Sequence, residues 1–317
     1  MTLPSGVTVT APRRKRAVSW TNATPYLLVA PAIVLVLMVQ LGPMLVGIII
    51  SFFDLTRLYI TNWSGAPFVA LENYVTALSF ASPVGGRFLQ SVGITIAFTV
   101  IVVTLCYLLG MSAAVVLQRT FRGKGWFRTL FLLPYALPVY ASVIVWSFMF
   151  QRDNGLINHV LVDTLHLVQD PPFWLLGDNA FWSMVIVAVW NRWPFAFLML
   201  MAGLQSIPEE VYQASSIDGA SVWKQVRYIT IPMLAPVNFV LILMMSLWTF
   251  NDFNHPFVLF GPTPPPAANL ISMHIYNNSF INWNFGLGSA MSVLALIFLL
   301  AASGVALWLN RRSNREL

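Results

Sequence analysis

Charge is what this sequence lacks most. Only 9% of the 317 residues are Asp, Glu, Lys or Arg, where a soluble domain carries about 25%. So few charges cannot cover a water-soluble fold of this length, which excludes an ordinary soluble enzyme. With 58% hydrophobic residues, a disordered chain is excluded as well. Cysteine is nearly absent: Cys106 stands alone, which excludes an internal disulfide and a cysteine-based metal site. Acidic residues number 11 against 17 basic ones, a net charge of +6. A basic excess serves nucleic-acid binding in some proteins, but in a lipid-like composition it marks cytoplasmic loops. The sequence also lacks a Gly-x-x-x-x-Gly-Lys-Ser/Thr loop, so ATP binding by this chain is not expected.

What is present is long uncharged runs. No charged side chain lies between Arg16 and Asp54, between Arg87 and Arg119, or between Arg128 and Arg152. Residues 181–204 hold one, Arg192; the stretch from Arg227 to Asp252 holds none inside it, and 286–309 ends just before Arg311. A helix needs about 20 apolar residues to cross the hydrocarbon, and inside lipid it satisfies its own backbone groups. The expected fold is an all-α membrane protein with six spans, near 26–53, 88–118, 129–151, 181–204, 233–253 and 286–309. Cytoplasmic tails at 1–25 and 311–317 flank them. The first run is too long for a signal core of about 7–15 residues and has no small-residue cleavage site, so an uncleaved first helix is expected. Residues 253–284 contain Gly261, Pro262, Pro264, Pro265, Pro266 and Asn269 and read as an uncharged outer loop.

Orientation follows from the loops. Arg13, Arg14, Lys15, Arg16, Arg119, Arg122, Lys124, Arg128, Lys224, Arg227, Arg311, Arg312 and Arg315 fall on one side, and Arg57, Arg87 and Arg152 on the other. The positive-inside rule then places both termini in the cytoplasm of a cell membrane.

Between spans four and five lies a polar stretch, 207–232, that does not belong to lipid. Pro208 with Glu209 and Glu210 suits a helix start, and Asp218-Gly219 suits its end. Ser221 is placed to cap a second short helix, in which Val222, Trp223, Val226 and Ile229 follow helical spacing. Periodicity leaves two accounts open: a hairpin lying on the membrane surface, or an element that docks another protein.

The order Gln213-Ala214-Ser215, then Gly219, then Ile229-Thr230-Ile231-Pro232 resembles the EAA loop of binding-protein-dependent ABC importer permeases. It departs from that pattern by Gln for Glu, Ser for the second Ala and Ile for Leu. The Gln213 change turns any charged contact at this position into a neutral hydrogen bond at best. Leu204-Gln205-Ser206-Ile207-Pro208, Trp190 to Phe195, Trp248 to Phe253 and Ser289 to Val293 are similar to the carbohydrate, MalF-like branch, and within it to the SugA-type trehalose permeases. The resemblance implies a subunit that carries a sugar, a disaccharide such as trehalose, across the membrane. It implies a second permease, two ATPase subunits holding ATP and Mg, and an extracytoplasmic binding lipoprotein as partners. It implies no cofactor in this chain, no enzymatic activity and no nucleic acid. Tyr212, Gln213, Ala214, Ser215, Asp218, Gly219 and Ala220 are then expected to couple to an ATPase.

Sugars alternate hydroxyls with apolar C–H faces, so their sites combine Asn, Asp or Arg with aromatic rings. Asn191, Arg192 and Trp193 in span four, and Trp248, Asn251, Asp252 and Phe253 at the end of span five, are the expected path residues. An arginine within a span needs a wet cavity or a partner, and Asp252 is available as one. Competing roles are an interhelical ion pair for Arg192, an interhelical hydrogen bond for Asn251, and lipid-facing packing for the tryptophans. His159, His166, His255 and His274 have no paired metal spacing. An ion-coupled secondary transporter is the alternative, though it calls for more ionisable residues within spans.

Overall fold

The computed structural model describes residues 20–118 and 121–313. The basic N-terminal tail to Arg16, Arg119 and Arg315 lie outside the described residues, so the tails are not discussed further. The chain forms two units, Met1–Ile49 and Ile50–Leu317. In the first, α1 (Trp20–Val36) passes through a π turn at Leu37–Leu41 into α2 (Gly42–Ile50), and Pro25–Ile50 is long and apolar enough to cross a membrane.

The second unit begins with α3 (Glu72–Leu78), which precedes the 36-residue α4 (Pro83–Gln118). Next come α5 (Lys124–Ala136), α6 (Val139–Met149) and the short α7 (Leu156–Asn158). The 26-residue α8 (Asn179–Leu204) leads into α9 (Glu209–Ile217), α10 (Val222–Gln225) and α11 (Ile231–Met233). Then follow α12 (Ala235–Phe250), α13 (Asn254–Phe260), α14 (Ile271–Tyr276) and the closing α15 (Phe285–Ser313). Among the described residues five helices can span a bilayer, or six when α5 and α6 count as one broken span. Two isolated bridges, Phe53 with Phe68 and Thr56 with Asn284, are the extended pairings found among them.

Two stretches differ from the sequence expectation. The third span is not a straight helix over 129–151: α5 and α6 meet at 91°. The cause is Pro138, whose ring pushes the preceding residue out of the helical region; Leu137 is extended (φ −83, ψ 141). Pro134 and Pro194, by contrast, sit inside α5 and α8. Residues 261–284 are not a solvated loop either. Ala268, Leu270, Ile271 and Met273 are buried, and the Ile271 N–H donates to Thr95 Oγ1 of α4 at 2.8 Å. Their apolar side chains outweigh the turn-forming prolines around them, as burial of each large one is worth about 1.5–3 kcal/mol.

The core runs along α4 and α8. Phe98, Val102, Cys106 and Ala114 of the first pack with Met184, Ala188, Phe197 and Leu200 of the second. Small residues permit the approach, as at many membrane helix pairs. A Cβ on Gly110 would lie 2.8 Å from the Phe197 backbone nitrogen and 2.9 Å from the Ala196 carbonyl carbon. Gly110→Val is therefore expected to force these helices apart at a cost of about 1–3 kcal/mol, read as a lower thermal midpoint of the purified protein.

Candidate functional site: a polar relay beside an aromatic pocket

Halfway along α8, Asn191 and Arg192 face the junction of α12 and α13. There the helix breaks at 251–253, and Asp252 turns inward while Asn251 turns out, its Nδ2 donating to the Leu247 carbonyl at 3.0 Å. Arg192 Nη2 lies 2.9 Å from Asp252 Oδ2, with side-chain exposures of 20% and 2%. His255, one turn later, donates Nδ1–H to Oδ1 of the same carboxylate at 3.1 Å, with Oδ2 2.8 Å from that nitrogen. Asn191 Nδ2 donates to His255 Nε2 at 3.2 Å, and Ser142 Oγ donates to Asn191 Oδ1 at 3.0 Å. This pattern assigns the ring proton to Nδ1, because Nε2 is occupied as an acceptor. Ser142, Asn191, His255, Asp252 and Arg192 thus form one chain across α6, α8 and α13. Buried polar groups persist only when paired, and here each charge has its partner.

Beside this chain lies a pocket of ≈ 240 Å³ lined by Tyr135, Asn191, Arg192, Phe195, Trp248 and His255, among others. Three of its walls are aromatic in series: the Tyr135 and Phe195 rings are 6.1 Å apart, and those of Phe195 and Trp248 are 5.0 Å apart. Asn254, also in the lining, accepts from the Tyr140 hydroxyl through Oδ1 at 2.8 Å, which leaves its amide protons free to donate. Arg192 Nη1 is buried and has no hydrogen-bond partner among the described residues. The arrangement offers donors on one side and apolar rings on the other.

Of the path residues expected from sequence, Asn191, Arg192 and Trp248 line this pocket, with Asp252 directly behind. Trp193 points elsewhere and packs on Phe131 at 5.2 Å and Phe197 at 6.3 Å. Phe253 stacks on Phe257 at 4.9 Å and Tyr276 at 5.3 Å. Sequence reasoning missed Ser142, Tyr135, Phe195, Asn254 and His255. The Asp252-x-x-His255 spacing was the one available signal, since residues three apart share a helix face.

The coupling stretch has its own geometry. α9 carries Glu209 and Glu210 in its first turn and ends in two backbone bonds: Ala220 N to Ser215 O at 2.9 Å and Gly219 N to Ser216 O at 3.1 Å. Gly219 adopts φ +77, the left-handed residue that such a Schellman end requires. Ser221 stands at the N-cap of α10 but makes no side-chain capping bond, so the expected cap is absent; Gln225 instead reaches back to Ser215 Oγ at 3.1 Å and Ser216 Oγ at 2.9 Å. Tyr212 is tucked inward, its hydroxyl 3.0 Å from Thr230 Oγ1, and it packs on the core. Gln213, Ala214, Asp218 and Gly219 are exposed, while Ser215 and Ala220 are half-buried. Ile217 is 87% exposed, and Trp223 and Tyr228 are each 74% exposed. Behind this knob opens a wider cavity of ≈ 770 Å³ bordered by Gln118, Lys124, Arg128, Gln205 and Glu209.

The fold is that of an all-helical membrane protein. A family model for the inner membrane component of binding-protein-dependent transport systems matches residues 106–315, and the chain belongs to this family of ABC importer permeases. It is a transport component and not an enzyme. The chain is 33% identical over 287 residues to the trehalose/maltose transport system permease protein MalF of Thermococcus litoralis, covering 90% of this chain and 93% of that one. It is 33% identical over 270 residues to the trehalose transport system permease protein SugA of Mycobacterium tuberculosis, covering 85% and 82%. A bacterial ABC transporter that imports the acidic polysaccharide alginate contains a chain with the same fold: TM-score 0.76, 18% identity, covering 92% of this chain and 98% of that one.

Proposed function

We propose that this permease imports a sugar, a disaccharide such as trehalose, and that the pocket beside Arg192 lies on its path. The observation that carries the reading is the pairing of an unpartnered buried guanidinium nitrogen with a row of three rings, Tyr135, Phe195 and Trp248. Donors serve hydroxyls and rings serve C–H faces. The names of the relatives, which carry trehalose and maltose, support the same cargo. A second permease completes the path, one of two ATPases docks on the exposed face of the knob around Ile217 and Trp223, and an external binding protein delivers the sugar. Both termini lie in the cytoplasm, the side where the knob meets the ATPases. Closure of the ATPases moves the knob and with it α8 and α12, which alternates access between the two faces as a switch between discrete states. ATP and Mg belong to the ATPases. No observation favours the ion-coupled alternative.

The test is uptake of labelled trehalose and maltose by vesicles carrying the whole importer. ATP-dependent uptake that persists when the proton gradient is collapsed supports the reading; uptake by this chain alone, without the ATPases, sinks it. Trp248→Ala removes the half-exposed end of the ring row and is expected to raise the half-saturating sugar concentration about tenfold, in line with about 1–1.5 kcal/mol for an aromatic contact. Trp193→Ala, at a half-buried position against Phe131 and Phe197, is expected to lower thermal stability and leave that concentration near its starting value.

A further inference from the structure

We propose that the pocket discriminates against anionic sugars, because its arginine already has a built-in counter-charge; this rests on the sugar reading above. Among the described residues Arg192 is the one lysine or arginine lining the pocket. A free guanidinium there would hold a uronate or a sugar phosphate in a two-pronged pair. Instead Nη2 is committed to Asp252 at 2.9 Å. Asp252 is in turn fixed by His255, whose backbone N–H also donates to Oδ1 at 3.3 Å, and its main-chain carbonyl accepts from Ser272 Oγ at 2.6 Å. His255 thus holds the carboxylate beside the arginine through its ring and its backbone N–H, while Ser272 holds the Asp252 main chain. His255 spends Nδ1 on the same carboxylate and Nε2 on Asn191, so neither ring nitrogen is open to an incoming anion. The pocket's guanidinium is therefore already compensated, and an incoming carboxylate or phosphate would be desolvated near the Asp252 charge. A neutral hydroxyl needs only the donors that remain: Arg192 Nη1 and the Asn254 amide.

Asp252 is thus a specificity-determining residue that acts through Arg192. The experiment measures equilibrium binding to the purified permease–ATPase complex, without the binding protein, of trehalose against trehalose 6-phosphate and of maltose against maltobionate. The unaltered complex is expected to favour the neutral member of each pair by about tenfold or more, the usual consequence of burying an unpaired charge. Asp252→Asn frees the guanidinium, and the ratio is expected to fall by about tenfold, through tighter binding of the anion. Asn254→Lys adds a cation at the pocket and leaves the ion pair intact; it is expected to shift the ratio the same way, and it decides the matter if Asp252→Asn does not assemble. Equal binding of both members by the unaltered complex overturns the proposal. So does an unchanged ratio in an assembled variant, or no detectable binding of any of the four sugars. ATP-driven uptake is a separate readout: if it fails for every sugar, the sugar reading falls, and if it succeeds while the ratios stay put, only this inference falls.

Discussion

Arg192→Ala is expected to cost the assembled importer about 3–5 kcal/mol of stability and nearly all uptake, because it strands a carboxylate that is 2% exposed. Among the described residues His255 would remain as the side-chain partner of the Asp252 carboxylate, and an imidazole donor does not replace a guanidinium fork. The loss would appear as a lower unfolding midpoint in detergent together with a collapse of sugar-stimulated transport. A double variant separates the two effects. Replacing Arg192 by Met and Asp252 by Leu removes both charges, and apolar replacement of a buried pair is often neutral for stability. Stability is expected to return while transport does not. If the double variant transports at the original rate, the pair is only a structural clamp and Arg192 has no part in the path.

Gly219→Val is expected to cut both ATPase co-purification and sugar-stimulated hydrolysis about tenfold or more, while sugar binding at the distant pocket stays unchanged. Nothing lies within 4 Å of a Cβ built there, so crowding is not the cause. The cause is backbone: φ +77 costs an ordinary residue about 1–2 kcal/mol and a β-branched one more. The strain is relieved by opening the two bonds that end α9, which turns the exposed Ile217 away from its docked position. Tyr212→Asp attacks the same knob from behind, by placing a carboxylate where a ring packs on the core. Should both variants keep full co-purification and hydrolysis, the docking role assigned to this knob is wrong.

The crossings were legible because lipid forbids charge, and gaps between charges need no alignment to be seen. The helical knob at 207–232 was legible for the opposite reason: it interrupts that pattern with Glu209, Asp218, Lys224 and Arg227. Asp252 stood out as an acid at the end of a span, available to an arginine within another. What could not be read was direction. α8 is apolar on nearly every side, so its periodicity does not reveal which face meets a cavity, and Trp193 looked as suitable as Phe195, which in fact borders the pocket. His255 was weighed only as a metal ligand, whereas its role depends on Asn191, 64 positions away. The segment around Leu270 and Met273 carried the prolines and asparagines of a solvated loop, and only its packing against α4 shows otherwise.

The right-angled break at Leu137–Pro138 has one more implication. A continuous rod would transmit any tilt of its cytoplasmic end to its outer end. Here α5, with Lys124 and Arg128 beside the large cavity, is held to α8 through Phe131 against Trp193 and Phe197, and α6 is moored to the same helix separately, through Ser142 and Asn191. A shift of α8 would thus reach both segments of the broken span at once, carrying Tyr135 on one and Ser142 on the other, so that the shape of the ring-lined chamber is tied to the position of that single helix.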